Sequence, residues 1–290
     1  MKAYLDIARR ILAEGVRKQN RTGVDTIAIA GAMFEHDMAK GFPLLTTKRT
    51  PFRLVATELE FFVRGLTDKR WLQERDNHIW DEWANPRKAP YGHDPKATRR
   101  MVAESDLGPI YGFQWRHFGA AYVDHATDYT GRGVDQLRRV VETLRVDPND
   151  RRMIVSAWNP TQLGEQALPP CHWAFQVTVI DGRLNLFWNQ RSVDVPVGLP
   201  FNIASYGLLL HLIAKSAGLR EGKLIGFLAD THVYENQVDG IREQLTRDPE
   251  RYPLPRMVTH PFTSLWEWTA GDSKVEGYES YPKIEFPIAV

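Results

Sequence analysis

A fold that mixes helices with strands, including at least one antiparallel hairpin, is the class this sequence predicts. Three observations carry it. Apolar residues recur at helical spacing in several windows, runs of β-branched and small residues lie between them, and an Asp-Gly pair joins two strand-like segments where a type I′ turn would close them. Of the 290 residues 43% are hydrophobic and 25% charged, enough for a substantial core without division into independent units. One domain over residues 1–290, with surface excursions, is therefore expected.

Residues 3–16 place Tyr4, Ile7, Ile11, Leu12 and Val16 at helical spacing, and Asn20-Arg21-Thr22-Gly23 has turn composition. A helix should lead there into an exposed basic turn. Residues 26–34 read as a strand, and from Phe52 to Val63 the helical period returns through Val55, Leu59, Phe62 and Val63. Glu58 falls on that helix's apolar side, three or four positions from Leu54, Val55, Phe61 and Phe62, so its carboxylate should be partly desolvated. Residues 134–145 give an amphipathic helix through Leu137, Val140, Val141 and Leu144, then a strand over 153–158, with Arg151 and Arg152 at the junction.

The hairpin runs from His172 to Ile180, through Asp181-Gly182, and on from Leu184 to Ser192, with Cys171 at its entrance after Pro169-Pro170. Pro200 can open the next helix, which continues through Ile203, Leu208, Leu209 and Ile213 to Gly218. A strand near 223–229 and a helix near 235–246 follow. Residues 85–106 and 118–132 show no sustained period and are read as surface excursions.

A formal net charge of +1 leaves no global field that would mark a nucleic-acid or membrane binder, so no DNA partner is expected. No window approaches the roughly 18 apolar residues of a membrane span, and residues 1–15 lack a secretory apolar core. A soluble, cytoplasmic protein is expected. The one cysteine excludes an intrachain disulfide, and the nine histidines form no HExxH-like pair, so no metal is expected.

A lone cysteine is usually a small buried hydrophobe. Cys171 has a competing reading, because the strand returning through Gln190-Arg191-Ser192 could bring a guanidinium beside the thiol and favour the thiolate. Arg21, Arg151, Arg152 and Arg191 stand at turns or strand ends, where they are either solvated or convergent on an anion such as phosphate. Asn202, near a helix start, is either a capping residue or an amide that reads a pyrimidine edge. His232 and Tyr234 would face one side of a strand.

These residues lie in strings, ALPPCHWAFQVTV, NQRSVDVPVGLPFNIASY and DTHVYEN, that resemble the thymidylate synthase family in order and spacing. GFPLLTTKR, IWDEW, GPIYGFQWR, DRRMIVSAWN and the tail ending Ile-Ala-Val extend the resemblance to nearly everything outside the two excursions. It implies an α+β fold: a large twisted mixed sheet with helices on one face, the other face packing on a second copy in a homodimer.

The resemblance further implies reductive methylation of deoxyuridylate, with 5,10-methylenetetrahydrofolate as co-substrate. Cys171 would add to C6 of uracil, assisted by Glu58, Tyr111, His172, Asn202 and Asp194. Arg21, Arg191, Ser192, Asn202, His232 and Tyr234 would bind the nucleotide, joined by Arg151 and Arg152 from the partner. Ile79, Trp80, Trp83, Leu168, Asp194, Val197, Gly198, Phe201 and Ile288 would form the folate side, closed by the tail. The chain departs from the pattern at Leu228-Ala229, where a small pair is common. It departs again at Gln237 for a histidine, at Pro196-Val197 for a bulkier pair, and at Glu60 for an apolar residue. The alternatives are a deoxyuridylate hydroxymethylase, a Cys-His hydrolase and a catalytically silent RNA binder using the basic stretch from Arg87 to Arg100.

Overall fold

The computed structural model describes residues 1–20 and 22–288; Arg21, Ala289 and Val290 lie outside the described residues. Its centre is a six-stranded sheet. The strands are β1 (Val16–Lys18), β2 (Thr26–Asp37), β3 (Ile154–Ser156), β4 (His172–Ile180), β5 (Arg183–Asp194) and β6 (Arg220–Tyr234), in the order β1-β2-β6-β5-β4-β3. All neighbours are antiparallel except β5 and β6. Two parallel neighbours need a crossover, and a long helix supplies it. The Asp-Gly turn between β4 and β5 has φ of 52° at Asp181 and 66° at Gly182, the left-handed pair that a type I′ turn requires.

The helices are α1 (Lys2–Glu14), α2 (Phe52–Val63), the short α3 (Arg70–Gln73), α4 (Pro95–Ala103), α5 (Tyr111–His117), α6 (Gln136–Val146), α7 (Gly198–Ala217) and α8 (Val238–Leu245). The crossover is α7, which buries Ile203, Leu208, Leu209, Leu212 and Ile213 against the sheet and its neighbours, and stops where Gly218 turns left-handed at φ 69°. On the covered face Trp188 stacks on Tyr206 of α7, with ring centroids 5.4 Å apart. Gly226 of β6 permits this, since a Cβ there would lie 2.3 Å from the Trp188 ring.

The opposite face is bare in this chain. Phe187 and Phe227 stack on it at 6.2 Å, beside Met33, which is 59% exposed and paired in register with Phe227. Ile154, 51% exposed, continues the row on β3. Several large apolar side chains exposed on one face, though interrupted by Gln176 and Asn189, are unusual where that face meets only water.

Several sequence expectations need correction. Val16 belongs to β1, not to the first helix, which the extended Gly15 ends. The 85–106 excursion contains α4, whose start Asp94 caps by accepting from the N–H groups of Lys96 and Ala97. Both excursions are more than surface loops. Ala84, Ala89 and Met101 form one small buried cluster, and Phe113, Ala120 and Tyr129 another. A second, two-stranded sheet, β7 (Arg256–Thr259) with β8 (Ser273–Glu276), had no sequence signal that we read. Glu60 is buried where an apolar residue was expected, and is satisfied there: it accepts from Arg64 Nε at 2.7 Å and from the Ala270 N–H at 2.8 Å.

Candidate active site

Cys171 is half-buried at the mouth of the β4–β5 hairpin, and its backbone N–H donates to the hydroxyl of Tyr111 at 2.8 Å. The antiparallel return of β5 brings Arg191 back, as its position in the hairpin suggested. Its Nη2 lies 3.9 Å from the Cys171 Sγ, and the guanidinium is held by the carbonyls of Pro170 at 3.0 Å and Pro169 at 2.7 Å. Proline carbonyls facing the guanidinium thus fix a cation beside the sulfur, which stabilises negative charge on it.

His172 stacks on the Tyr111 ring at 4.2 Å, and its Nδ1 meets the Tyr206 hydroxyl at 2.9 Å. Burial pushes its pKa down to about 3, so the imidazole is neutral near pH 7. A neutral ring so placed orients Tyr111 and is not an imidazolium counter-ion to the Cys171 thiolate. Burial also raises the Tyr111 hydroxyl well above its usual range, keeping it protonated.

Glu58 projects from α2 onto the same cluster and accepts from Trp80 Nε1 at 2.8 Å. Trp80 packs edge-on against Tyr111 at 6.2 Å and Phe62 at 6.3 Å, so Glu58, Trp80, Tyr111, Cys171 and Arg191 form one connected group. Desolvation raises the Glu58 carboxyl to about 7, against the opposing Trp80 hydrogen bond. A folded-state pKa above the unfolded one means the neutral carboxyl contributes stability that is full below the usual glutamate value of 4.5 and is lost as pH rises through about 7. Glu58→Gln should remove this dependence. Between pH 5 and 7 the stability of the wild type relative to Glu58→Gln should fall by up to roughly 1 kcal/mol per pH unit, then level off. Urea melts of both proteins across that range check it, and parallel curves would contradict it.

Asn202 is the fifth residue of α7, past the capping positions, so its capping explanation does not hold. Its Oδ1 accepts from Gln190 Nε2 at 3.0 Å, and Gln190 is fixed in turn by Trp188 Nε1 and the Ser192 carbonyl. His232 and Tyr234 do share a side of β6, ring to ring at 5.3 Å, and His232 Nδ1 meets Asp230 at 2.9 Å. Asp194 is half-buried opposite His232 in the parallel register. Burial raises its carboxyl, opposed by hydrogen bonds from Gln237 and the Val197 N–H and by the charges of His232 and Lys48.

On the remaining side, Trp83 stacks on Tyr91 at 5.9 Å, Leu168 and Phe201 pack on the core, and Val197 and Gly198 open α7. Ile79 and Ile288 are exposed. Arg151 and Arg152 stand apart at the turn before β3. Arg152 pairs with Asp150 at 2.9 Å and its side chain is 87% exposed. Arg21 lies outside the described residues. Sequence reasoning missed Gln190 and the buried Lys48, whose Nζ donates to the Pro196 carbonyl, and noted Gln237 only as a departure from the family pattern, without a role. Inward position next to Trp188 on an alternating strand could have pointed to Gln190. Among the described residues no three His, Cys, Asp or Glu side chains are grouped to hold a metal, and no helix is long and apolar enough to cross a membrane.

A thiol beside a clamped guanidinium, with a desolvated carboxyl and a buried tyrosine, lies at the edge of a mixed sheet, and comparison with known proteins supplies the family. The model described as thymidylate synthase matches residues 2–290. The chain is 44% identical over 289 residues to "Thymidylate synthase 1/2" of Encephalitozoon cuniculi, covering 99% of this chain and 96% of that protein. It is 43% identical to the bifunctional dihydrofolate reductase-thymidylate synthases of Paramecium tetraurelia and Zea mays, covering 99% of this chain in each case and spanning 61% and 54% of their lengths. This chain belongs to the thymidylate synthase family.

Proposed function

We propose that this chain converts deoxyuridylate to thymidylate, with 5,10-methylenetetrahydrofolate supplying both the one-carbon unit and a hydride. One observation carries the reading: the Cys171 sulfur beside a clamped guanidinium, in a chain of this family. The thiolate adds to C6 of uracil and makes C5 a carbon nucleophile, splitting a difficult attack into easier steps. C5 takes the one-carbon unit and loses its proton near Tyr111 as the carbon–nitrogen bond to the folate breaks, leaving an exocyclic methylene and tetrahydrofolate. Hydride from that tetrahydrofolate then completes the methyl group, Cys171 is expelled, and dihydrofolate is left. Glu58, poised near pH 7, moves protons at the pyrimidine O4 and at the folate nitrogen. His172, neutral, keeps Tyr111 oriented.

Asn202, its oxygen oriented by Gln190, reads the N3 and O4 edge and selects uracil. His232 and Tyr234 hold the ribose hydroxyl, and Arg21, Arg191 and Ser192 the phosphate. The folate stacks along Ile79, Trp80, Trp83, Leu168, Val197, Gly198 and Phe201, with Asp194 accepting from the pterin and the tail from Ile288 onward closing over it. Residues 1–290 act as one catalytic domain.

A second copy of the chain packs on the bare sheet face. The exposed Phe227, Met33 and Ile154, with the half-buried Phe187, favour that occupant, and a homodimer of this kind would carry the exposed Arg151 and Arg152 to the partner's phosphate site. The activity is tested by following dihydrofolate. Its formation should require deoxyuridylate and match nucleotide consumed one for one, and nucleotide turnover without dihydrofolate would contradict the reading.

A further inference from the structure

Gln237 ends the short turn Glu235–Gln237 that leaves β6, and it is 1% exposed. Its Nε2 donates to Asp194 Oδ2 at 3.0 Å and to the carbonyl of Pro287 at 2.8 Å, while its Oε1 accepts from the backbone N–H of Tyr234 at 3.0 Å. Only this orientation of the amide suits all three partners, because a flip would set oxygen against a carboxylate and a carbonyl. The partners belong to three separate stretches: the nucleotide-side motif, the folate-side carboxylate and the C-terminal segment.

That segment is seated by contacts of its own. Phe286 lies under Lys48 Nζ at 4.8 Å and against Gly240, where a Cβ would come within 2.6 Å of the ring. Lys48 also donates to the carbonyl of Pro196, two residues beyond Asp194. The tail and the Asp194 loop are thus tied twice, and Gln237 supplies the tie that reaches the carboxylate itself.

Resting on the proposed function, we infer that Gln237 is a positioning residue that links the Asp194 carboxylate to the C-terminal segment, so that reduced folate binding and seating of the tail favour one another. A buried –NH2 group that bonds both partners is left partly unsatisfied if either moves, which makes the two positions interdependent. The charged and titratable groups facing Asp194 are Lys48 from the 41–49 loop and His232 from β6, with the Tyr4 hydroxyl of α1 close by on Val195.

Gln237→Glu is the sharpest variant, since it keeps the acceptor for the Tyr234 N–H and replaces only the two donors. At about pH 8 the variant should raise the KM for methylenetetrahydrofolate roughly tenfold or more while leaving the Kd for deoxyuridylate within about threefold. Lowering the pH to about 6 should restore much of the loss, because a protonated Glu can again donate to Asp194, and the wild type should show no such recovery. In the wild type, tetrahydrofolate with deoxyuridylate should slow carboxypeptidase release of Val290 roughly tenfold, and in the variant by less than about twofold. Gln237→Met, which removes all three bonds, serves the same folate and tail measurements if the Glu variant does not fold. A folate KM and tail protection within about twofold of wild type in the folded variants would overturn the inference alone. A wild type that makes no thymidylate would overturn the proposed function and the inference with it.

Discussion

Cys171→Ser should lose turnover by roughly a thousandfold or more while binding deoxyuridylate within about tenfold of wild type. The asymmetry follows from what the sulfur does. A hydroxyl beside Arg191 is a far weaker nucleophile than a thiolate, so addition to C6 should fail, whereas the proposed phosphate and ribose contacts do not involve the sulfur. Arg191 itself is held by the carbonyls of Pro169 and Pro170, and those bonds survive the exchange. Single-turnover assays with equilibrium dialysis of the nucleotide separate the two effects. Appreciable turnover by the purified variant would contradict the covalent mechanism.

Arg151→Ala/Arg152→Ala should be inactive or nearly so alone, and should regain activity when mixed with the equally inactive Cys171→Ser after subunit exchange. In a mixed dimer one site carries both defects and the other carries neither, provided the arginines serve the partner. Random equal pairing makes half the dimers mixed, each with one intact site of two, so recovery should approach about a quarter of wild-type activity. The position of Arg151 and Arg152 in this chain, exposed and away from the Cys171 cluster, is what motivates the arrangement. A mixture that stays inactive after demonstrated exchange would mean that the arginines act within their own subunit.

Local chemistry made much of this legible. The Asp-Gly turn set the hairpin and its register, and the hairpin in turn brought Arg191 to Cys171. Helical spacing alone put Glu58 among apolar residues, and its raised carboxyl follows from that placement. Helix α4 was also readable in principle, since Asp94 followed by Pro95 is a cap and first-turn pair, but it buries only Met101 and so lacks a periodic stripe. What escaped was long-range polar contact. Gln237 meets residues 43 and 50 positions away, and Trp80 meets Glu58 across 22, pairings that no local pattern encodes. The parallel β5–β6 pairing is of the same kind, because it exists only once α7 has crossed over. Asn202 shows the converse: a plausible local role, capping, gave way to a tertiary one.

The most direct test of the central claim supplies deoxyuridylate and methylenetetrahydrofolate deuterated at C6 of the pterin, and reads the nucleotide product by mass spectrometry. Hydride transfer from the folate puts that deuterium into the new methyl group, so the account predicts singly deuterated thymidylate together with dihydrofolate. Unlabelled 5-hydroxymethyl-deoxyuridylate with tetrahydrofolate would show that water, not hydride, ends the reaction, and would contradict it.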